Sequence, residues 1–194
     1  MPNRFDTLSA KLAANPPPLV STRPAAAVAV VLVPEPDSVL IIRRAERDGD
    51  RWSGQLAFPG GRSSPDDADL AATARRETLE EVGLDLGSVP SLGVLLDLEP
   101  RTPVLPPIIV RPFVYLLPSR TELVPNHEVA GAWWIPLDAF WAPGTYRPIE
   151  YERYGTLVRA AGYHLDVGVL WGMTERILTP LLDLLRPAPH SLTS

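Results

Sequence analysis

Apolar and polar positions alternate between two regimes along the chain. Residues 25–33 are continuously apolar and residues 39–43 nearly so, with Glu35-Pro36-Asp37-Ser38 between them. Short apolar runs bounded by turn formers predict buried strands joined by a tight turn. The same pattern predicts strands at 93–98, 108–116, 133–135, 146–154 and 162–166, and a short extended piece, Leu56-Ala57-Phe58, that ends on Pro59-Gly60-Gly61. Helical periods are predicted over 3–14, from a cap at Ser64-Pro65-Asp66-Asp67 to Gly83, and over 169–185. Residues 44–54 read as a charged loop and 187–194 as a frayed tail. Strands interspersed with a few helices predict an α/β fold, a mixed sheet covered on both faces by helices. The chain of 194 residues reads as one domain with its core at about 25–185, preceded by a helix and Pro-rich lead-in over 1–20.

Composition narrows the chemistry. At 45% hydrophobic the chain can bury a core, and its formal net charge of −5 argues against a general nucleic-acid or membrane-surface binder. There is no cysteine, which removes disulfides, thiolate nucleophiles and Cys-based zinc sites. The histidines, His127, His164 and His190, show no paired-ligand spacing, so a bound metal would rest on carboxylates and would be Mg²⁺, Mn²⁺ or Ca²⁺. The run 25–33 is too short to span a bilayer and too far along for a signal peptide, so a cytoplasmic location is expected.

The segment with most chemical content runs from Gly60-Gly61-Arg62 to Arg75-Arg76-Glu77-Thr78-Leu79-Glu80-Glu81-Val82-Gly83-Leu84. At about 100° per residue, Glu77, Glu80 and Glu81 share one face of a helix. Ala71, Thr78 and Val82, with Leu79 beside them, are expected to dock on the sheet. Like charges at these spacings cost roughly 0.2–0.5 kcal/mol per pair, and Arg76 offsets only part of this. A divalent cation would relieve the rest, and the glycines before the helix allow a backbone carbonyl to reach the same ion. Taken alone, such an acidic triplet is more often a solvated helix face. The glycine bend, the cap and the closing Gly83-Leu84 at fixed offsets favour the metal reading.

These residues resemble the Nudix box, G-x5-E-x7-R-E-U-x-E-E-x-G-U, where U is a bulky aliphatic. Arg76 to Leu84 match its second half, with Thr78 at an aliphatic position. Its first half departs: one extra residue separates Gly61 from Arg76, and Ala68, flanked by Asp67 and Asp69, stands at the first Glu. The longer spacing is similar to the coenzyme A pyrophosphatase branch of the family. That branch also has an upstream pattern, resembled here by Leu40-Ile41-Ile42-Arg43-Arg44-Ala45 and Gly54-Gln55-Leu56-Ala57-Phe58-Pro59-Gly60-Gly61. Between those two parts the stretch is one residue too long. Gly49 occupies the expected Arg position, and Arg51 is a better stand-in than Arg47. Glu128 to Leu137 and Trp171 to Leu178 resemble later parts of the same branch.

The resemblance implies a Nudix α/β/α sandwich with a mixed β-sheet. It implies Mg²⁺-dependent cleavage, with Mn²⁺ as a substitute, of a nucleoside diphosphate derivative, and coenzyme A first among substrates. By position, Glu77 and Glu81 become metal ligands, Glu80 a third or water-mediated ligand or a base, Gly61 a carbonyl ligand, and Arg76 the residue that orients the carboxylates. Glu128 is either a general base or a surface acid, and the residue alone favours the surface. Arg43, Arg44, Arg51 and Arg62 are phosphate contacts or solvated in equal measure. Trp133, Trp134, Trp141 and Trp171 read as core or interface before adenine stackers, and Tyr151 and Tyr154 as pocket lining or packing on the same weighting. Two other readings remain open: another Nudix substrate (ADP-ribose, a dinucleoside polyphosphate or a deoxynucleoside triphosphate), or a nucleotide-binding fold without catalysis. The implied partner is a small nucleotide, not nucleic acid or membrane, with a homodimer left open.

Overall fold

The computed structural model describes residues 4–14, 25–49, 52–99, 108–153 and 156–186. After a turn at residues 4–7 comes helix α1 (Leu8–Ala14), shorter than the predicted 3–14. Strands β1 (Ala25–Val33) and β2 (Ser38–Arg44) follow, then β3 (Leu56–Ala57), β4 (Gly60–Arg62) and helix α2 (Leu70–Val82). The rest comprises β5 (Ser91–Val94), β6 (Ile109–Leu116), β7 (Val129–Pro136), α3 (Leu137–Trp141), β8 (Tyr146–Arg153), β9 (Thr156–Leu165), β10 (Gly168–Trp171) and α4 (Gly172–Leu185).

The main sheet is mixed. β1 runs parallel to β6, and its other pairings are antiparallel. β1 and β2 form a hairpin that pairs only beside its turn, at Leu32↔Val39 and Val33↔Ser38, and then forks. The segment 56–62 fills the fork. One arm, β3, pairs with Ile42 and Arg43 of β2, and the other, β4, pairs with Ala26, Ala27 and Val28 of β1. At the bend the Ala29 N–H donates to Pro59 O at 2.8 Å, and at the open end of the fork the Arg44 N–H donates to Gln55 O at 3.0 Å. The glycine bend is thus part of the sheet, not a free loop.

Side chains alternate across this sheet. On one face Ala27, Ala29, Val31, Leu40, Ile42 and Tyr115 pack with Ala74 and Val82 of α2. On the other, Val30, Leu32, Val39 and Ile41 pack with Leu8 and Leu12 of α1 and with Leu178, Leu181 and Leu182 of α4. The small Ala27, Ala29 and Ala74 let α2 lie close to the strands. A second sheet, β10-β9-β8, adds Tyr163 and Leu170 to the α4 side of the core.

Several predicted boundaries move. The expected helix 169–185 begins with a strand, because Val169 to Trp171 pair with β9; Gly172, at φ +72°, then turns the chain into α4. The expected strand 93–98 is β5 followed by a lone bridge between Leu98 and Val110. The cap of α2 is Asp69, not Ser64: Ser64 and Asp67 close their own turn, and the Asp69 carboxylate accepts from the Ala72 N–H at 2.7 Å.

Candidate functional site

The docking stripe of α2 differs from the expected one. Ala74, Thr78, Glu81 and Val82, spaced i, i+4, i+7 and i+8, form the buried face. Leu79, expected to dock, is 49% exposed, whereas Glu81, expected on an open acidic face, is only 2% exposed. Thr78, at the motif's aliphatic position, satisfies its buried hydroxyl by donating to Ala74 O in its own helix at 2.6 Å.

Glu81 enters the sheet fork from below. Its Oε2 accepts from the Gly60 N–H at 2.8 Å. Burial pushes its carboxyl up to about 7; the Gly60 hydrogen bond and Arg44 oppose the shift, while Glu77 and Glu128 add to it. Glu77, one turn earlier, lies against Gly61: a Cβ added there would stand 2.5 Å from the Glu77 carboxyl carbon. Glu77 is also raised, first by burial, with Glu80 and Glu128 adding repulsion against the pull of Arg76. Glu80 is turned to solvent, where it accepts from Arg76 Nη1 at 3.2 Å. The three acids are therefore graded in depth rather than level.

Arg76 spreads its guanidinium over this group. Nε and Nη2 fork onto Asp67 at 2.9 and 3.0 Å, Nη1 donates to Glu77 Oε1 at 2.9 Å, and Nη2 also reaches Arg62 O at 3.2 Å. Ala68, at the motif's Glu position, carries none of this. Its neighbours divide two tasks, Asp67 meeting Arg76 and Asp69 capping the helix.

Glu128 reaches the same region from the loop before β7, close enough to raise both Glu77 and Glu81. It accepts from Arg47 Nη2 at 2.9 Å, and its backbone carbonyl accepts from the Ala45 N–H at 2.8 Å. Arg47 is a contact that sequence reasoning passed over in favour of Arg51, which lies outside the described residues; the backbone hydrogen bond between Ala45 and Glu128 is what brings Arg47 to the Glu128 carboxylate. Arg44 lies near enough to act on Glu81. Arg62 pairs with Ala26, whose side chain belongs to an apolar cluster with Ile108 and Val110, while its neighbour Gly61 faces Glu77. Arg43 is engaged elsewhere, donating to Val167 O and lying over Trp133. The aromatic residues serve packing: Trp133 and Trp141 border the α4-side core, Trp134 borders the α2-side core, and Tyr151 lies on Trp171. Tyr154 is outside the described residues.

Among the described residues no three His, Asp or Glu side chains stand together at metal-ligand spacing. The donor set nonetheless fits a hard divalent cation. Glu77 and Glu81 supply carboxylate oxygens beside a Gly61 backbone with no Cβ in the way, and burial and neighbouring acids disfavour their charge. Among the described residues no helix is long and apolar enough to cross a membrane.

A mixed sheet between helices, with an acid-bearing helix docked on a glycine bend in a strand fork, is the Nudix fold. The chain belongs to the Nudix family and is a Nudix hydrolase: the family's NUDIX domain model matches residues 23–154. It is similar to proteins named Nudix hydrolase NudL, themselves uncharacterized. That of Pectobacterium atrosepticum is 34% identical over 157 residues, covering 80% of each chain. That of Yersinia pestis is 32% identical over 162 residues, covering 83% of this chain and 79% of the relative. Among solved structures, a MutT/nudix family protein from Enterococcus faecalis superimposes with a TM-score of 0.55 at 15% identity, over 88% of this chain and 65% of that one. A NUDIX hydrolase from Alicyclobacillus acidocaldarius does so with a TM-score of 0.51 at 23% identity, over 62% and 82%. Nudix hydrolases act on small nucleotides and generally use divalent metal ions.

Proposed function

We propose that this chain hydrolyses the pyrophosphate linkage of a nucleoside diphosphate derivative, with coenzyme A as the leading substrate, cleaved to 3′,5′-ADP and 4′-phosphopantetheine. The observation that carries the reading is the convergence of Glu77 and Glu81 on Gly60-Gly61, with Glu128 facing them from another element. Glu77, Glu81 and the Gly61 carbonyl would hold Mg²⁺ or Mn²⁺, with Glu80 as an outer ligand or base. Bound there, the ion supplies charge neutralisation for a diphosphate and acidifies water.

The remaining work falls to side chains. Arg76 holds the Glu77 carboxylate in one orientation. Glu128 takes the proton as a water oxygen bonds to one phosphorus and the bridging P–O bond breaks. Arg44, near Glu81, would offer its guanidinium to phosphate oxygens; Arg62 lies on the strand face opposite the Gly61–Glu77 contact and takes no such role. The upstream pattern from Leu40 to Gly61 supports coenzyme A over other nucleotides, and the intact Glu77, Glu80 and Glu81 support catalysis over silent binding.

Product analysis tests this directly. Coenzyme A incubated with the enzyme and Mg²⁺ should yield 3′,5′-ADP, and Glu77→Gln should abolish it. Turnover of ADP-ribose, a dinucleoside polyphosphate or a deoxynucleoside triphosphate in its place would reassign the substrate. Unchanged turnover by Glu77→Gln would remove the site.

A further inference from the structure

We propose that Asp67 is a positioning residue for the metal-ligand carboxylates, acting through Arg76. This rests on the reading of Glu77 and Glu81 as ligands. The Asp67 side chain is only 6% exposed. Oδ2 accepts from the Ser64 N–H at 2.8 Å, Thr73 Oγ1 at 2.8 Å and Arg76 Nη2 at 3.0 Å, and Oδ1 accepts from Arg76 Nε at 2.9 Å. A planar guanidinium gripped along its Nε–Nη2 edge has its plane and rotation defined. The free edge, Nη1, then points at Glu77 Oε1, 2.9 Å away, and Glu80 Oε2, 3.2 Å away. The bond from Nη2 to Arg62 O ties β4 to the same group. Asp67 therefore sets where Arg76 can stand, and Arg76 sets where the Glu77 carboxylate can stand relative to Gly61. Asp69, two residues on, offers an internal contrast. It caps α2 through the Ala72 N–H and touches neither Arg76 nor Glu77 in any described hydrogen bond.

The test is Mn²⁺ binding to the full chain without substrate, read by the loss of the free-ion paramagnetic resonance signal, with kcat and KM measured alongside. Asp67→Asn is expected to weaken Mn²⁺ about 10- to 100-fold, the range typical of partners that orient metal ligands. It should lower kcat with little change in KM. Arg76→Lys keeps a positive charge near Glu77 but cannot fork onto Asp67, and should lose Mn²⁺ affinity to a similar extent. The double variant should be no worse than the poorer single, because both act along one path. Asp69→Ala should lower Tm by a few degrees and leave Mn²⁺ affinity unchanged.

Wild-type Mn²⁺ affinity in Asp67→Asn overturns the proposal. If that variant does not fold, wild-type affinity in Arg76→Lys overturns it. Failure of the wild-type chain itself to bind Mn²⁺ would overturn the carboxylate site and this inference with it.

Discussion

The Glu77 carboxylate fills the space that a side chain on Gly61 would need: a methyl on the glycine would stand 2.5 Å from the carboxyl carbon of the acid. The obstructing atoms are the end of a flexible side chain, so Gly61→Ala should fold and displace Glu77. Activity should fall about 100-fold, the scale of an ångström-level misplacement. Gly60→Ala should behave differently. Gly60 has φ +151°, and a Cβ there would run into the Ala27 carbonyl and the Val28 backbone, which cannot swing away. It should cost about 3 kcal/mol of stability or more. Thermal unfolding and initial rates on both variants separate the two effects; equal stability losses would contradict the assignment of Gly61 to the site.

Glu81 should make the metal-free protein less stable as pH rises. Its carboxyl ionises near 7 in the fold and at 4.5 when unperturbed. Between these values the folded chain holds a proton that the unfolded chain releases, so stability falls with rising pH and levels off above 7. The full effect is of the order of 3 kcal/mol. Asp67 acts oppositely: its ion pair with Arg76 holds it well below the usual carboxylate range, so its contribution is present above about pH 4 and fades in stronger acid. Melting in EDTA from pH 4.5 to 8 should show the decline, and Glu81→Gln should remove most of it while abolishing hydrolysis, leaving a smaller slope of the same sign from Glu77, which burial also raises.

Glu128 and Arg47 form an ion pair at 2.9 Å in which both side chains are well exposed. An exposed pair of this kind contributes little to stability, about 0–1 kcal/mol. Glu128→Gln should therefore melt close to wild type yet lose about 10²- to 10⁴-fold in kcat, as removal of a general base does. Arg47→Ala should leave Tm nearly unchanged. A Glu128→Gln enzyme with wild-type kcat would return the residue to the surface-acid reading.

Arg111 and Asp97 form a bidentate pair at 2.8 and 2.7 Å, with both side chains largely buried. Asp97→Asn leaves a buried guanidinium without its counter-charge and should cost about 3–5 kcal/mol. Denaturant titration measures it; a loss below about 1 kcal/mol would show that the pair is dispensable.

The sequence alone contained the alternation of strand and helix, the glycine bend, the closing Gly83 and the acid-rich helix. These are local matters: period, turn chemistry and caps act over a few residues, and the resemblance built on them led to the right family. It also placed Glu77, Glu80 and Glu81 together on one helix face, but set that face opposite the sheet with Leu79 docked, and Glu81 is instead buried and Leu79 exposed. Only the tertiary structure decided that. The fork between β1 and β2 receives residues 56–62, and this buries Glu81 under Gly60, leaves Glu80 in solvent and turns Leu79 outward. The pairing of Asp67 with Arg76, of Arg47 with Glu128 and of Val169 to Trp171 with β9 likewise depends on segments brought together by packing. Helical periodicity specifies an angle around one axis. Which angle faces the sheet, and how deep each charge sits, depends on what lies across the interface, and that information is distributed over the whole chain.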